Sequence, residues 1–132
     1  MEIKKFIQGK NDTEIFSNVG PWLTSIDVQK TLGSPITSKA GDIWYIAFLY
    51  AVPTGFAVAR EINSTNSIHI KYVYSDDGTK KALLKQIVNE AKNTNKKSLW
   101  TNERANVIYD NLGFIFTKRD RGVFGKYELI VT

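Results

Sequence analysis

The residue types that carry covalent and metal chemistry are scarce in this sequence. Its 132 residues contain no cysteine and a single histidine, His69. Without cysteine, the chain has no disulfide framework, no Cys-based zinc site and no thiol nucleophile. One histidine and scattered carboxylates do not make a metal site, so we expect none. Acid–base chemistry is left to His69, to carboxylates and to phenols such as that of Tyr109, which stays protonated at neutral pH.

Tyr109 belongs to a short segment whose apolar residues recur at helical spacing. The side chains at positions i, i+3, i+4 and i+7 are Ala105, Ile108, Tyr109 and Leu112. This spacing predicts an amphipathic helix that ends at Gly113, and Asn102 lies where an N-cap residue is expected. Tyr109 falls on the apolar face, where a tyrosine is more often a core aromatic than a reacting group.

The composition is that of one globular domain. Apolar residues make up 42% and charged residues 23%, which excludes a disordered chain and a collagen-like repeat. At this length we expect a single domain, 1–132. The start lacks the apolar stretch of a signal peptide, and no apolar run approaches the roughly 18 residues of a membrane span. We therefore expect a cytoplasmic protein without a membrane partner.

The positive charge is concentrated in the second half of the chain. The formal net charge is +5, and residues 71–104 carry eight basic and four acidic side chains, whereas residues 1–70 carry six of each. A pI near 9.4 suits a polyanionic partner, either nucleic acid or a multiply phosphorylated small molecule. A solubilising surface explains the same excess equally well.

The elements that must position these residues alternate between the two kinds of secondary structure. Their predicted order is strand, two helices, three strands, a long helix after Gly78, a strand, a helix and two strands. This order predicts an α/β (α+β) fold, with about four helices on a mixed, mostly antiparallel sheet of about seven strands. Trp44 and Trp100 fall in apolar strands, so we expect both in the core. Simple alternation places four side chains of the third consecutive strand on one face: Ile68, Ile70, Tyr72 and Tyr74.

The helical segment and the element order together resemble the GCN5-related N-acetyltransferase (GNAT) superfamily. The C-terminal signature of that family, N-x-x-A-x-x-x-Y-x-x-x-G-F, is matched in register by Asn102, Ala105, Tyr109, Gly113 and Phe114. The resemblance implies an acyl-CoA N-acyltransferase-like fold. It also implies transfer of an acetyl group from acetyl-CoA to a primary amine, on a small molecule or a protein, by direct attack.

The resemblance implies roles for individual residues. The amine attacks the thioester carbonyl, an oxyanion forms, and the thiolate of coenzyme A leaves. Tyr109 would protonate the thiolate, with its hydroxyl in a crevice between separated strands. A backbone N–H near Tyr72 or Val73 would hold the oxyanion. His69, and less favourably Glu61, is the candidate general base.

The phosphate-binding loop of the family, Q/R-x-x-G-x-G/A, falls at Ser75 to Lys80 and keeps only Gly78 of its small residues. The pyrophosphate of coenzyme A is expected here, at the amino end of the long helix. Asp76 and Asp77 bring negative charge to the same place, and an aspartate here is also an ordinary N-cap. Lysines that follow in the helix could hold phosphates or could form a solvated basic face. The predicted coenzyme contacts are Tyr72, Val73, Gly78, Thr79, Lys80, Lys81 and Asn102, the last of these equally well a helix cap.

Two alternatives remain open from the sequence. The altered phosphate loop also fits a catalytically impaired GNAT-fold module that binds or interacts without turnover. The pI and the basic Lys118–Arg121 connection fit, less well, a nucleic-acid-modifying relative.

Overall fold

The computed structural model describes residues 1–118 and 124–131. Seven strands and four helices follow the predicted order. The strands are β1 (Glu2–Ile7), β2 (Ile43–Leu49), β3 (Val52–Ile62), β4 (Ser67–Tyr74), β5 (Ser98–Arg104), β6 (Ile115–Lys118) and β7 (Phe124–Ile130). The helices are α1 (Asp12–Leu23), α2 (Ile26–Leu32), α3 (Asp77–Asn93) and α4 (Val107–Asn111), with a short 3-10 turn at Asn63–Thr65.

The strands form one mixed sheet in the order β1-β2-β3-β4-β5-β7-β6. All neighbouring pairs are antiparallel except β4 and β5, which are parallel and joined through α3. A parallel pair needs such a crossover, because a hairpin can only reverse the chain. The predicted fold class is confirmed.

Helices cover the sheet on both faces and create two apolar cores. On one face, α3 and α4 bury a cluster that includes Leu83, Ile87 and Tyr109. On the other face, α1 and α2 bury a cluster around the fully buried Trp44, with Ile15 and Phe56. Trp44 is therefore a core residue, as predicted. Among the described residues, no helix is long and apolar enough to cross a membrane.

Candidate functional site

The parallel strands β4 and β5 pair over only three residues of each strand. The pairs are Ser67–Ser98, Ile68–Leu99 and His69–Trp100. Beyond them, β4 stays paired with β3, and β5 stays paired with β7 through Arg104. Each strand thus keeps its outer neighbour while the inner pairing ends. The Thr101 hydroxyl of β5 still donates to the Ile70 carbonyl of β4 at 2.7 Å, so the sheet opens between residues 71–74 of β4 and 102–104 of β5.

A β-bulge lies where this separation begins. Val58 of β3 pairs with Tyr72, but the next residue, Ala59, pairs with Ile70, so Lys71 is an extra residue in β4. A bulge bends its strand and increases the local twist, and this one lies close to where β4 and β5 stop pairing.

The bulge also changes the faces of β4 from those predicted. Ile68 and Ile70 pack with Val73 in the core under α3, whereas Tyr72 and Tyr74 pack on the α1 and α2 side. The prediction that Tyr72 and Tyr74 share a face with the isoleucines is wrong. Period-two alternation assumes an uninterrupted strand, and one inserted residue shifts every later side chain to the other face.

Asp42 anchors the bulged residue to the rest of the sheet. Its carboxylate is fully buried and accepts hydrogen bonds from Lys71 Nζ at 2.7 Å, Arg60 Nη1 at 2.6 Å and the Lys39 N–H at 3.0 Å. Burial alone raises the pKa of this carboxyl, but these donors outweigh burial, and the pKa lies below its usual value. Asp42 thus stays ionised and ties β4 to β3 and to the start of β2.

Sequence reasoning missed this ion-pair centre. The signal available was a single carboxylate placed directly before the apolar strand that begins at Ile43. A charge at such a position is buried only when cations reach it, and here Lys71 Nζ of β4 lies 2.7 Å from the Asp42 carboxylate.

Tyr109 is fully buried, on the side of the sheet that α3 and α4 cover. Its ring stacks on Tyr127, with centroids 4.9 Å apart, and meets the edge of Phe114 at 5.4 Å. Its hydroxyl has no hydrogen-bond partner among the described residues. Burial raises the pKa of Tyr109, and the charge of Glu103 adds to the effect, so the phenol remains protonated.

This placement corrects the prediction for Tyr109 in one respect. The hydroxyl was expected to open into a crevice, but in the structure packed side chains enclose it. The apolar spacing that predicted the helix also predicts that Tyr109 is a core residue, and Tyr109 does lie in the core. The neighbouring Tyr127 differs, because its hydroxyl accepts from the Asn106 N–H at 2.9 Å and lies 3.1 Å from Asp110 Oδ1.

Asn102 is not the N-cap of α4. It lies exposed within β5, opposite Lys126 of β7. The cap is Asn106, whose side-chain oxygen accepts from the Ile108 N–H at 2.9 Å. The pairing with β7 extends β5 to Arg104, so α4 begins later than its apolar spacing suggested. Asn102 thus lies in the part of β5 that no longer pairs with β4. Its contact with the coenzyme stays a prediction.

The amino end of α3 is capped by its own aspartate. Asp76 Oδ1 accepts from the Thr79 N–H at 2.8 Å, and this hydrogen bond lowers the pKa of the exposed Asp76 carboxyl. Gly78 is exposed, Thr79 is buried, and Lys80 and Lys81 follow in the first turn and a half. The aspartate cap anticipated as an alternative is therefore present and occupies a donor that a phosphate would use.

His69 lies on the opposite face of the sheet from Tyr109, in the last pair before the strands separate. Its ring stacks on Trp100 with centroids 3.9 Å apart. Burial lowers the pKa of His69, and the charge of Lys71 lowers it further, although Asp42 acts in the opposite direction. The imidazole is therefore neutral near pH 7 and can accept a proton.

The other predicted residues that the structure describes are wholly or partly exposed. Trp100 is only half-buried, so it is not the core residue that was expected. Glu61 is exposed, and its carboxylate lies 3.4 Å from Lys96 Nζ. Of the basic connection, Lys118 is exposed in β6, and Arg119–Arg121 lie outside the described residues. The described residues contain no cluster of His, Asp and Glu that could hold a metal ion.

No protein-family model and no curated protein matches this sequence. Solved structures do match its fold. An acetyltransferase of the GNAT family from Staphylococcus aureus Mu50 aligns over 99% of this chain and 100% of its own, at 14% identity and a TM-score of 0.69. An acyl-CoA N-acyltransferase from Pseudomonas aeruginosa aligns over 96% of this chain and 97% of its own, at 10% identity and a TM-score of 0.70.

A third match was solved with acetyl coenzyme A. It is a provisionally assigned streptothricin acetyltransferase from Bacillus anthracis, which aligns over 69% of this chain at 22% identity and a TM-score of 0.59. This chain spans 64% of that protein's length. At identities this low, structural similarity establishes the fold alone. The chain has the GNAT, or acyl-CoA N-acyltransferase, fold.

Proposed function

We propose that this chain, folded as a GNAT domain, is an acyl-CoA-dependent N-acetyltransferase. It transfers the acetyl group of acetyl-CoA to a primary amine, of a small molecule or a protein, by direct attack. The observation that carries the proposal is the loss of pairing between β4 and β5 beyond Ile70 and Thr101, next to the Lys71 bulge. An acetyltransferase with bound acetyl coenzyme A among the structural matches supports it.

The separated strands suit an extended ligand that carries amide groups. Residues 71–74 of β4 and 102–104 of β5 have no strand pairing with each other. The pantetheine arm of coenzyme A contains two amides and can hydrogen-bond to such free edges as an added strand does. A backbone N–H near Tyr72 or Val73 would then donate to the oxyanion of the tetrahedral intermediate.

Tyr109 supplies the proton for the leaving thiolate in this proposal. A buried hydroxyl without a partner costs roughly 1–3 kcal/mol, so a ligand that offers it an acceptor recovers that energy. The thiolate of coenzyme A is such an acceptor. Because packed groups enclose the hydroxyl, the proposal requires that ligand entry part the side chains around Tyr109.

Lysines, rather than a glycine-rich loop, would hold the pyrophosphate. Lys80 and Lys81 lie at the beginning of α3, and Gly78 leaves space beside the backbone, where an added Cβ would meet only Asp76 Oδ1, at 3.7 Å. For the Thr79 N–H to bind a phosphate, the Asp76 side chain must release it. Binding therefore competes with the helix cap, so we expect weaker affinity than an uncapped helix end would give.

His69 is the candidate base that removes a proton from the amine. It is neutral near pH 7 and lies at the start of the strand separation, on the side away from Tyr109. An amine that approaches from this side would meet the base, while the thiolate forms on the side of the acid. A base near the attacking amine and an acid near the leaving thiolate suit addition of the amine and loss of the thiolate through the tetrahedral intermediate.

A second function is favoured by two specific observations. The enclosed hydroxyl of Tyr109 opposes the proton transfer that turnover requires, and the Asp76 cap on α3 weakens the binding of the coenzyme phosphates. A GNAT-fold module that binds acyl-CoA, or another ligand, without transferring the acetyl group fits both.

Calorimetric titration with acetyl-CoA and a thiol-release assay over a panel of amines separate the two functions. A transferase binds acetyl-CoA and releases thiol with at least one amine, whereas a binding module gives the first result alone. Lys81→Glu should weaken binding about tenfold, which corresponds to about 1.4 kcal/mol. The matched control is Lys92→Glu, in the last turn of the same helix, which makes the same charge change far from the proposed phosphates. A wild-type chain that does not bind acetyl-CoA would contradict the proposal.

A further inference from the structure

The turn between β2 and β3 holds two residues in a conformation that L side chains rarely adopt. Leu49 pairs with Val52, so the loop consists of Tyr50 and Ala51, at φ values of 51° and 64°. Two-residue hairpins of this kind favour Asn-Gly, because the left-handed region is unfavourable for residues with a larger Cβ substituent. Strained backbone of this kind is concentrated at functional and contact sites, so Tyr50 is a candidate contact residue.

The side chain of Tyr50 projects from the molecule. It is 93% exposed, and the exposed apolar residues Leu49, Val52 and Met1 lie beside it, at the turn and at the start of β1. Large exposed apolar side chains grouped at one place mark a contact surface more often than isolated ones do.

A groove of about 800 Å³ adjoins Tyr50. Phe6 and Phe48 line it from the sheet, Glu14 and Asn18 line it from α1, and Tyr50 stands at its rim. A projecting aromatic ring beside a groove that contains two phenylalanines is an arrangement in which two identical surfaces can each fill the other.

The neighbouring strand β1 is an edge of the sheet, so its outer backbone groups have no strand partner among the described residues. Glu2 and Lys4 lie on the groove side of β1, whereas Ile3 lies on the α3 side. If two copies of β1 pair in antiparallel fashion about a twofold axis at Ile3, Glu2 of each copy faces Lys4 of the other. The edge is therefore complementary in charge to itself.

We propose that the chain forms a twofold dimer through antiparallel pairing of β1, with Tyr50 of each copy packed into the groove of the other. A second copy fits better than an unrelated partner, because the same short strand supplies both charges of each pair. Within one chain, Lys4 Nζ lies 3.3 Å from Glu2 Oε1, and both side chains are exposed. In the dimer, the Glu2–Lys4 contacts between the two copies would replace this contact. This inference does not depend on the proposed transferase activity.

Sedimentation equilibrium of the full chain tests the proposal. The wild type should have about twice the 14.9 kDa mass of one chain. Lys4→Glu and Glu2→Lys should each raise the dimer dissociation constant at least tenfold, because each places like charges opposite one another. The double exchange of both residues should restore association. Lys92→Glu, which makes the same charge change on α3, should have no effect on mass.

Tyr50→Gly gives an independent test that misfolding cannot mimic. It relieves the left-handed backbone at residue 50, so the single chain should gain thermal stability while the dimer weakens at least tenfold. A wild-type chain that remains at 14.9 kDa at all concentrations overturns the proposal. A dimer that persists unchanged in both Lys4→Glu and Tyr50→Gly also overturns it, since another surface must then form the contact.

Discussion

The stacked pair Tyr109 and Tyr127 allows a direct test of whether the buried hydroxyl of Tyr109 is reserved for a ligand. The two rings lie in one apolar cluster with centroids 4.9 Å apart, but their hydroxyls differ. That of Tyr109 has no partner among the described residues, whereas that of Tyr127 bonds to Asn106 and Asp110. The same substitution, Tyr→Phe, should therefore have opposite effects at the two positions.

The expected change in the free energy of unfolding depends on which polar groups and which void remain after each hydroxyl is removed. In Tyr109→Phe an unsatisfied polar group disappears, which relieves roughly 1–3 kcal/mol. The void left by one oxygen atom, of the order of 10 Å³, costs only about 0.2 kcal/mol. The ligand-free Tyr109→Phe chain should thus be about 1 kcal/mol more stable than the wild type. Tyr127→Phe leaves the Asn106 N–H without its acceptor and should cost about 1–3 kcal/mol.

Urea unfolding, followed by tryptophan fluorescence and far-ultraviolet circular dichroism, measures both free energies of unfolding. The dependence on urea concentration should be the same in both variants, so that changes in the midpoint report stability alone. Tyr109→Phe should also slow thiol release without weakening acetyl-CoA binding. If Tyr109→Phe loses as much stability as Tyr127→Phe, the hydroxyl has a partner in the free protein and the reasoning is refuted.

Three further predictions concern the Asp42 centre and His69. Lys71→Met should weaken acetyl-CoA binding more than Arg60→Met does, in calorimetric titrations, because both remove a cation from Asp42 but only Lys71 lies in the bulge. The pKa of Asp42 is lowered on folding, so its contribution to stability is present above its ordinary value of 3.8 and is lost as the pH falls through the lowered pKa. In urea unfolding at a series of pH values, Asp42→Asn should therefore lose less stability at acid pH than the wild type does. The pKa of His69 is also lowered, so turnover should fall only below pH 6.5, and His69→Gln should remove that decline from the pH–rate profile.

The sequence was sufficient to predict the order of the elements and the parallel crossover. Long apolar runs and amphipathic stripes report local periodicity, and α3 follows from the stripe of Leu83, Leu84 and Ile87. These features are local, so neighbouring residues reveal them.

The features missed depend on contacts between distant residues. The bulge at Lys71 results from pairing with β3, and alternation within β4 alone does not reveal it. The length of β5 is set by β7, which extends the strand through Asn102 and moves the start of α4 to its Asn106 cap. Whether the hydroxyl of Tyr109 reaches an opening depends on packing around its ring, including the stack with Tyr127, which the sequence motif does not specify.

The brevity of the β4–β5 pairing has a consequence for how long the protein survives. Three residue pairs connect β1–β4 to β5–β7 within the sheet, and a ligand seated between the strands would bridge the two parts. A compound present at about 100 times its dissociation constant adds roughly 2.7 kcal/mol to the free energy of unfolding. If that compound is acetyl-CoA, the resistance of the protein to proteolysis should rise and fall with the concentration of acetyl-CoA. The amount of the protein would then follow the supply of acetyl groups.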